Sequence, residues 1–152
     1  ILRQSTAKVV SFGPFLDKTD GVTLEVALAG TGANQLDNAS TGVKLSKNGG
    51  ALAVYSSTTD CTYDSFGNYF LNLDTTDTNT IGTLRAQYTD AATCLPVWQD
   101  FVVVDELVYD VLFGTVALAT TANITSATGI DVTKVKGTTI TGAGTAGTPW
   151  GP

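Results

Sequence analysis

Through most of residues 1–114 apolar and polar side chains alternate with a period of two, the pattern of strands buried on one face. Lys8-Val9-Val10-Ser11-Phe12 predicts a first strand, stopped by Gly13-Pro14. A turn at Asp17-Lys18-Thr19-Asp20-Gly21 follows, with Asp and Gly where side-chain-to-backbone bonds and positive φ are wanted. Val22 to Leu28 then alternate, apolar at the even positions, and predict a second strand. Beyond a polar loop from Ala29 to Thr41, Val43-Lys44-Leu45-Ser46 and Ala51-Leu52-Ala53-Val54-Tyr55 flank Lys47-Asn48-Gly49-Gly50. Asn-Gly accepts the positive φ angles of a tight hairpin, so two paired strands are expected there. Ser65-Phe66-Gly67-Asn68 predicts another hairpin leading into Tyr69-Phe70-Leu71-Asn72-Leu73. From Gly82 to Tyr88 the pattern sends Leu84, Ala86 and Tyr88 inward and Thr83, Arg85 and Gln87 outward. Pro96 to Val104 predicts a last, heavily apolar strand with Trp98 as a core anchor. Seven or eight short strands at these spacings predict a mainly β head, an antiparallel β-sandwich of the immunoglobulin/fibronectin-like kind.

The period changes once. Asp105 can cap a helix, Glu106 suits its first turn, and Leu107, Val108, Val111 and Leu112 fall on one stripe before Gly114. At about two turns the helix is marginal alone, so it needs to dock on the head or on a neighbouring subunit. After Gly114 the chain changes character: residues 115–152 carry charge only at Asp131, Lys134 and Lys136, and no aromatic before Trp150. This stretch is Thr, Ala, Gly and Val. It is too weakly apolar to form a core alone and too poor in charge for an ordinary linker. The expected organisation is a head at 1–114 and an extended, β-rich, oligomerising stalk at 115–152. Val116, Leu118, Ile130, Val132, Val135, Ile140 and Trp150 are the side chains expected at the interface between copies, and closing open strand edges is the physical gain.

Charge and residue inventory narrow the function. A net charge of −6 leaves no basic stripe for phosphates, which excludes a nucleic-acid partner. No apolar run is long enough for a spanning helix, so membrane insertion is not expected. There is no His, no Gly-x-Ser-x-Gly elbow and no Ser-x-x-Lys, and the expectation is a protein that is not an enzyme and holds no cofactor or metal. Leu73-Asp74-Thr75-Thr76-Asp77-Thr78-Asn79-Thr80 supplies alternating oxygens but lacks the Glu and central Gly of an EF-hand loop. Its simpler reading is a turn in which Asp side chains cap backbone amides. Cys61 and Cys94 fit either two small buried side chains or a disulfide between neighbouring strands. Phe66, beside Gly67 in a predicted turn, is the aromatic expected to make a surface contact with a protein or a sugar ring.

Several segments, in order, carry a resemblance: Leu2-Arg3-Gln4-Ser5-Thr6-Ala7, Gly13-Pro14-Phe15-Leu16-Asp17 with Thr19-Asp20-Gly21, and Leu45-Ser46-Lys47-Asn48-Gly49-Gly50. The series continues with Asp74-Thr75-Thr76-Asp77-Thr78-Asn79-Thr80-Ile81-Gly82, Leu95-Pro96-Val97-Trp98 and Val108-Tyr109-Asp110-Val111-Leu112-Phe113-Gly114. Together they resemble a family of tailed-bacteriophage virion proteins. Val135-Lys136-Gly137-Thr138-Thr139-Ile140-Thr141-Gly142 and Pro149-Trp150-Gly151-Pro152 are similar to segments that follow this head in such proteins. The resemblance implies a structural part of the phage particle, a tail or head fibre, fibre-attachment or decoration component. It implies a homotrimer that contacts other virion proteins, assembled in the bacterial cytoplasm and located in the virion. No catalytic residue is carried over. The alternative expectation is a glycan-binding module that contacts the host surface.

Overall fold

A computed structural model describes residues 1–57 and 59–114, together with the backbone of Lys134–Val135 and Thr138–Thr139. The chain divides into two units, Ile1–Thr115 and Val116–Pro152. The first unit is mainly β, with two sheets and one short helix.

The three-stranded sheet is built on β2 (Lys8–Phe12), β5 (Thr62–Tyr63) and β6 (Tyr69–Leu73), in the order β2-β6-β5, all antiparallel. Its register sets Phe12 opposite Tyr69 and Val10 opposite Leu71, and these four side chains are buried on one face. The five-stranded sheet takes β1 (Leu2–Arg3), β3 (Lys44–Lys47), β4 (Ala53–Val54), β7 (Gly82–Asp90) and β8 (Cys94–Val104), in the order β1-β8-β7-β3-β4. Leu2, Leu45, Leu84, Ala86, Tyr88, Cys94 and Val103 are its buried side chains, and those of β7 are the ones its alternation predicts. Side chains from both sheets join one core. Phe15, outside any strand, lies at its centre with edge contacts to Phe12, Tyr69 and Tyr88 at 5.3, 5.5 and 6.0 Å.

Both predicted hairpin turns form. Asn48 and Gly49 have φ of 51° and 72°, which carries β3 into β4 in the left-handed conformation that Asn-Gly accepts. At the β5–β6 turn, Asp64 Oδ1 accepts the N–H groups of Phe66 and Asn68 at 2.7 and 3.0 Å. Helix α1 (Glu106–Phe113) starts where expected, with Asp105 Oδ1 accepting the Leu107 N–H at 2.9 Å. It stops at Gly114, whose backbone is extended and where a Cβ would lie 2.7 Å from the Asp110 carbonyl oxygen, so glycine fits this end.

Three expectations are corrected. Val22–Leu28 is not a strand; Val22 and Val26 are exposed, and only Leu28 is buried. It makes one isolated bridge, Leu24 with Leu16, in which the Glu25 N–H donates to the Phe15 carbonyl at 3.0 Å, and four of its other amides go to side chains instead of a ladder. Asp20 accepts from Val22 and Thr23 at 2.9 Å, Glu25 from Ala27 at 3.2 Å, and the Tyr69 hydroxyl from Leu28 at 3.1 Å. Trp98 is not a core anchor but 63% exposed. The register of β8 buries Val103, and a residue an odd number of positions away must face the other side of the sheet. The strands are also not all antiparallel, because β1 pairs with β8 in parallel, Leu2 opposite Val103 and Arg3 opposite Val104. Of the two readings for the cysteines, the structure has the first: Cys61 and Cys94 are free thiols, each buried.

Candidate functional site

The carboxylates considered for chemistry hold the backbone. Asp74 Oδ1 accepts the amides of Thr76 and Asp77 at 2.7 and 2.9 Å. Asp77, only 3% exposed, accepts at Oδ1 from the Ser56 amide and hydroxyl (2.8 and 3.0 Å) and at Oδ2 from the Asp74 amide (3.0 Å). The loop therefore ties Ser56 to the end of β6 through a buried carboxylate whose lone pairs are already engaged. Asp37 does similar work: Oδ2 accepts the Gly30 and Cys61 amides at 3.0 Å and Oδ1 the Tyr55 hydroxyl. Burial, reinforced by Asp37, pushes the Tyr55 hydroxyl and the Cys61 thiol well above their ordinary pKa. Among the described residues, no three His, Cys, Asp or Glu side chains group as they would around a metal.

Asp20 stands apart in charge. Its carboxyl is held at about 2, first by the Thr23 hydroxyl at 2.6 Å and then by the amides of Thr23 and Val22. This carboxylate sits in a turn and closes it.

Exposed apolar side chains stand on several elements, among them the β5–β6 turn, the five-stranded sheet and α1. Phe66 stands out from the β5–β6 turn at 77% exposure, between Ser65 and Gly67, both at positive φ. Sequence reasoning had found this one.

The second is the outer face of the five-stranded sheet. Register lines up Trp98 of β8 with Gln87 of β7 and Lys44 of β3, and beside them Asp100 with Arg85 and Ser46. Arg85 and Asp100 form a two-pronged pair, Nε to Oδ1 at 2.7 Å and Nη2 to Oδ2 at 2.8 Å. Each holds the other in its charged form, Arg85 raised and Asp100 lowered, chiefly by that hydrogen bond. A shallow groove of about 350 Å³ runs past this pair, lined also by Ser46, Thr83 and Val102. Sequence reasoning missed this face because Pro96–Val104 is apolar on both sides. The odd spacing between Trp98 and Val103 was the available signal.

The third is α1. The helix buries none of its residues, and Leu107 (64%), Leu112 (62%) and Val108 (48%) are turned to solvent. Its attachment runs through its acids. Arg3 of β1 donates Nε and Nη2 to the two Asp110 carboxylate oxygens, both at 2.9 Å, and approaches Glu106 at 3.3 Å. Asp110 is lowered and Arg3 raised, in each case mainly by this bond.

Of the side chains expected between copies, Val116, Leu118, Ile130, Val132, Ile140 and Trp150 lie outside the described residues. Val135 lies in β9 (Lys134–Val135), which pairs antiparallel with β10 (Thr138–Thr139), Val135 opposite Thr138. Comparison with protein-family models, with curated proteins and with solved structures found nothing that matches this chain.

Proposed function

We propose that this protein is a structural component of a tailed-phage virion, a fibre, fibre-attachment or decoration protein that self-associates through residues 115–152. The observation that carries this reading is where the first unit spends its polar and apolar groups. Most of its carboxylates close turns, cap backbone amides or pair with Arg3 and Arg85, while large apolar side chains stand in solvent on the sheet face and on the helix that leads into the charge-poor segment. Exposed apolar surface of this kind is ordinary for a part that will be covered by neighbours in an assembly. In the same reading the two sheets form an immunoglobulin/fibronectin-like sandwich, the partners are further copies of the chain and other virion proteins, and the assembly is a homotrimer. Sedimentation of the full chain at micromolar concentration, beside a shortened chain ending at Gly114, tests it. The full chain is expected to run as a trimer, and a monomer would refute self-association.

One observation favours a second reading, a glycan-binding module. Trp98 offers an exposed indole beside Gln87 and Lys44, an arrangement in which a sugar ring can stack and its hydroxyls hydrogen-bond. Binding on a glycan array that Trp98→Ala abolishes without lowering the melting temperature would support it.

A further inference from the structure

The helix is mounted back to front. At about 100° per residue, Glu106, Tyr109, Asp110 and Phe113 share one side of α1, and Leu107, Val108, Val111 and Leu112 share the other. In a surface helix the apolar side normally meets the core. Here Arg3 grips the acidic side, Leu107, Val108 and Leu112 of the apolar ridge are left exposed with Val111 half-buried beside them, and Phe113 at the helix end is exposed too.

We infer that this ridge is a packing seam between copies of the chain, with three α1 helices running parallel around a common axis; the inference rests on the self-association proposed above. Four observations select a second copy as the occupant. The ridge holds no charged side chain, so identical ridges meet without repulsion. The two acids nearest to it, Glu106 and Asp110, are engaged by Arg3 of the same chain. The ridge spans about 140° around the helix, wider than a two-helix seam needs and suited to touching two neighbours at once. Finally, the helix ends at Phe113, directly before the segment proposed to associate, which would bring other copies of α1 alongside at high effective concentration. The tether matters because a ridge on a helix only about 12 Å long is far too small to hold copies together unaided.

The test is disulfide trapping in the full chain. Val108→Cys places a thiol on the ridge; Phe66→Cys places a more exposed thiol on the β5–β6 turn as control. The native thiols are buried and contribute little background. Under copper–phenanthroline oxidation, Val108→Cys chains should link to one another at least about tenfold faster than Phe66→Cys chains. The yield should level off near about two-thirds, since three-fold packing leaves one thiol of each three unpaired. Adding Leu112→Glu should slow the reaction to the control rate. Equal rates in a full chain that sediments as an oligomer would overturn the seam and leave the proposed function standing. A full chain that sediments as a monomer would overturn both. Complete linkage would overturn three-fold packing.

Discussion

Asn48 and Thr83 are bonded twice: the Asn48 N–H donates to the Thr83 carbonyl and the Thr83 N–H donates to Asn48 Oδ1, each at 2.8 Å. Asn48 Nδ2 also donates to the Ile81 carbonyl at 2.9 Å, so the β3–β4 turn clasps the start of β7. Asn48 thus supplies both a backbone conformation and a side-chain anchor. Asn48→Ala should cost about 1–2 kcal/mol for the lost bonds and the strained φ.

Gly49→Val separates the conformational part. No atom lies within 4 Å of the Cβ position, and φ is 72°, so the cost is backbone strain alone, about 1–2 kcal/mol. Calorimetry should show the melting temperature falling by about 4–8 °C per kcal/mol in a unit of this size. An unchanged value would mean that the turn does not hold the left-handed conformation.

Trp98→Ala should be mild. A core tryptophan would cost about 3–5 kcal/mol on truncation, but a side chain 63% exposed has little burial to lose, and about 1 kcal/mol or less is expected. Denaturant melts of the purified variant decide between those magnitudes.

Asp77→Ala should be clearly destabilising. It removes a buried carboxylate that accepts from the Ser56 amide and hydroxyl and from the half-buried Asp74 amide, at about 1–3 kcal/mol. Asp77→Asn keeps an acceptor and should fall between Asp77→Ala and the parent chain. A chelator should leave the melting temperature of the parent chain where it was, because the carboxylate oxygens are taken by protein donors. A fall on adding chelator would show that this loop holds a cation.

Stability should be lost at both ends of the pH scale. Asp20, at about 2 when folded against 3.8 when free, stabilises the fold above pH 3.8, and that contribution disappears as pH falls through 2. Asp100 and Asp110 are lowered too and act in the same direction. Burial raises Tyr69 from 10 to about 12, so its contribution is complete below pH 10 and is lost as pH rises through 12. Calorimetric melts from pH 2 to 11 should therefore trace a plateau that falls away below about pH 4 and above about pH 10. A melting temperature still rising below pH 4 would contradict the Asp20 geometry.

What could be read from the sequence followed where local chemistry and tertiary demand agree. Asn48-Gly49 needs positive φ whatever packs around it, and Asp105 caps α1 with its own carboxylate, so both were legible. Leu84, Ala86 and Tyr88 alternate with polar residues, which fixes the buried face of β7. Val22–Leu28 has the same alternation, but Asp20, Glu25 and Tyr69 take four of its amides from the side. Period two alone cannot reveal that competition. In β8 both faces are apolar, so the direction of Trp98 depends on a register that the turn at Asp90 and the shift between Tyr88 and Asp90 impose. The helix was legible as a helix and not as to its orientation, because the partner that orients it, Arg3, lies 107 residues away.

Parallel pairing of β1 with β8 has a mechanical consequence. Tension drawn between the beginning of β1 and the end of β8 pulls the two strands past each other along their length. The backbone bonds there, including the Gln4 N–H to Val104 carbonyl bond at 2.9 Å, must then stretch together instead of opening one after another. The Arg3–Asp110 ion pair ties β1 to α1 just beyond that joint. A unit pulled this way yields in shear, the stiffer of the two directions.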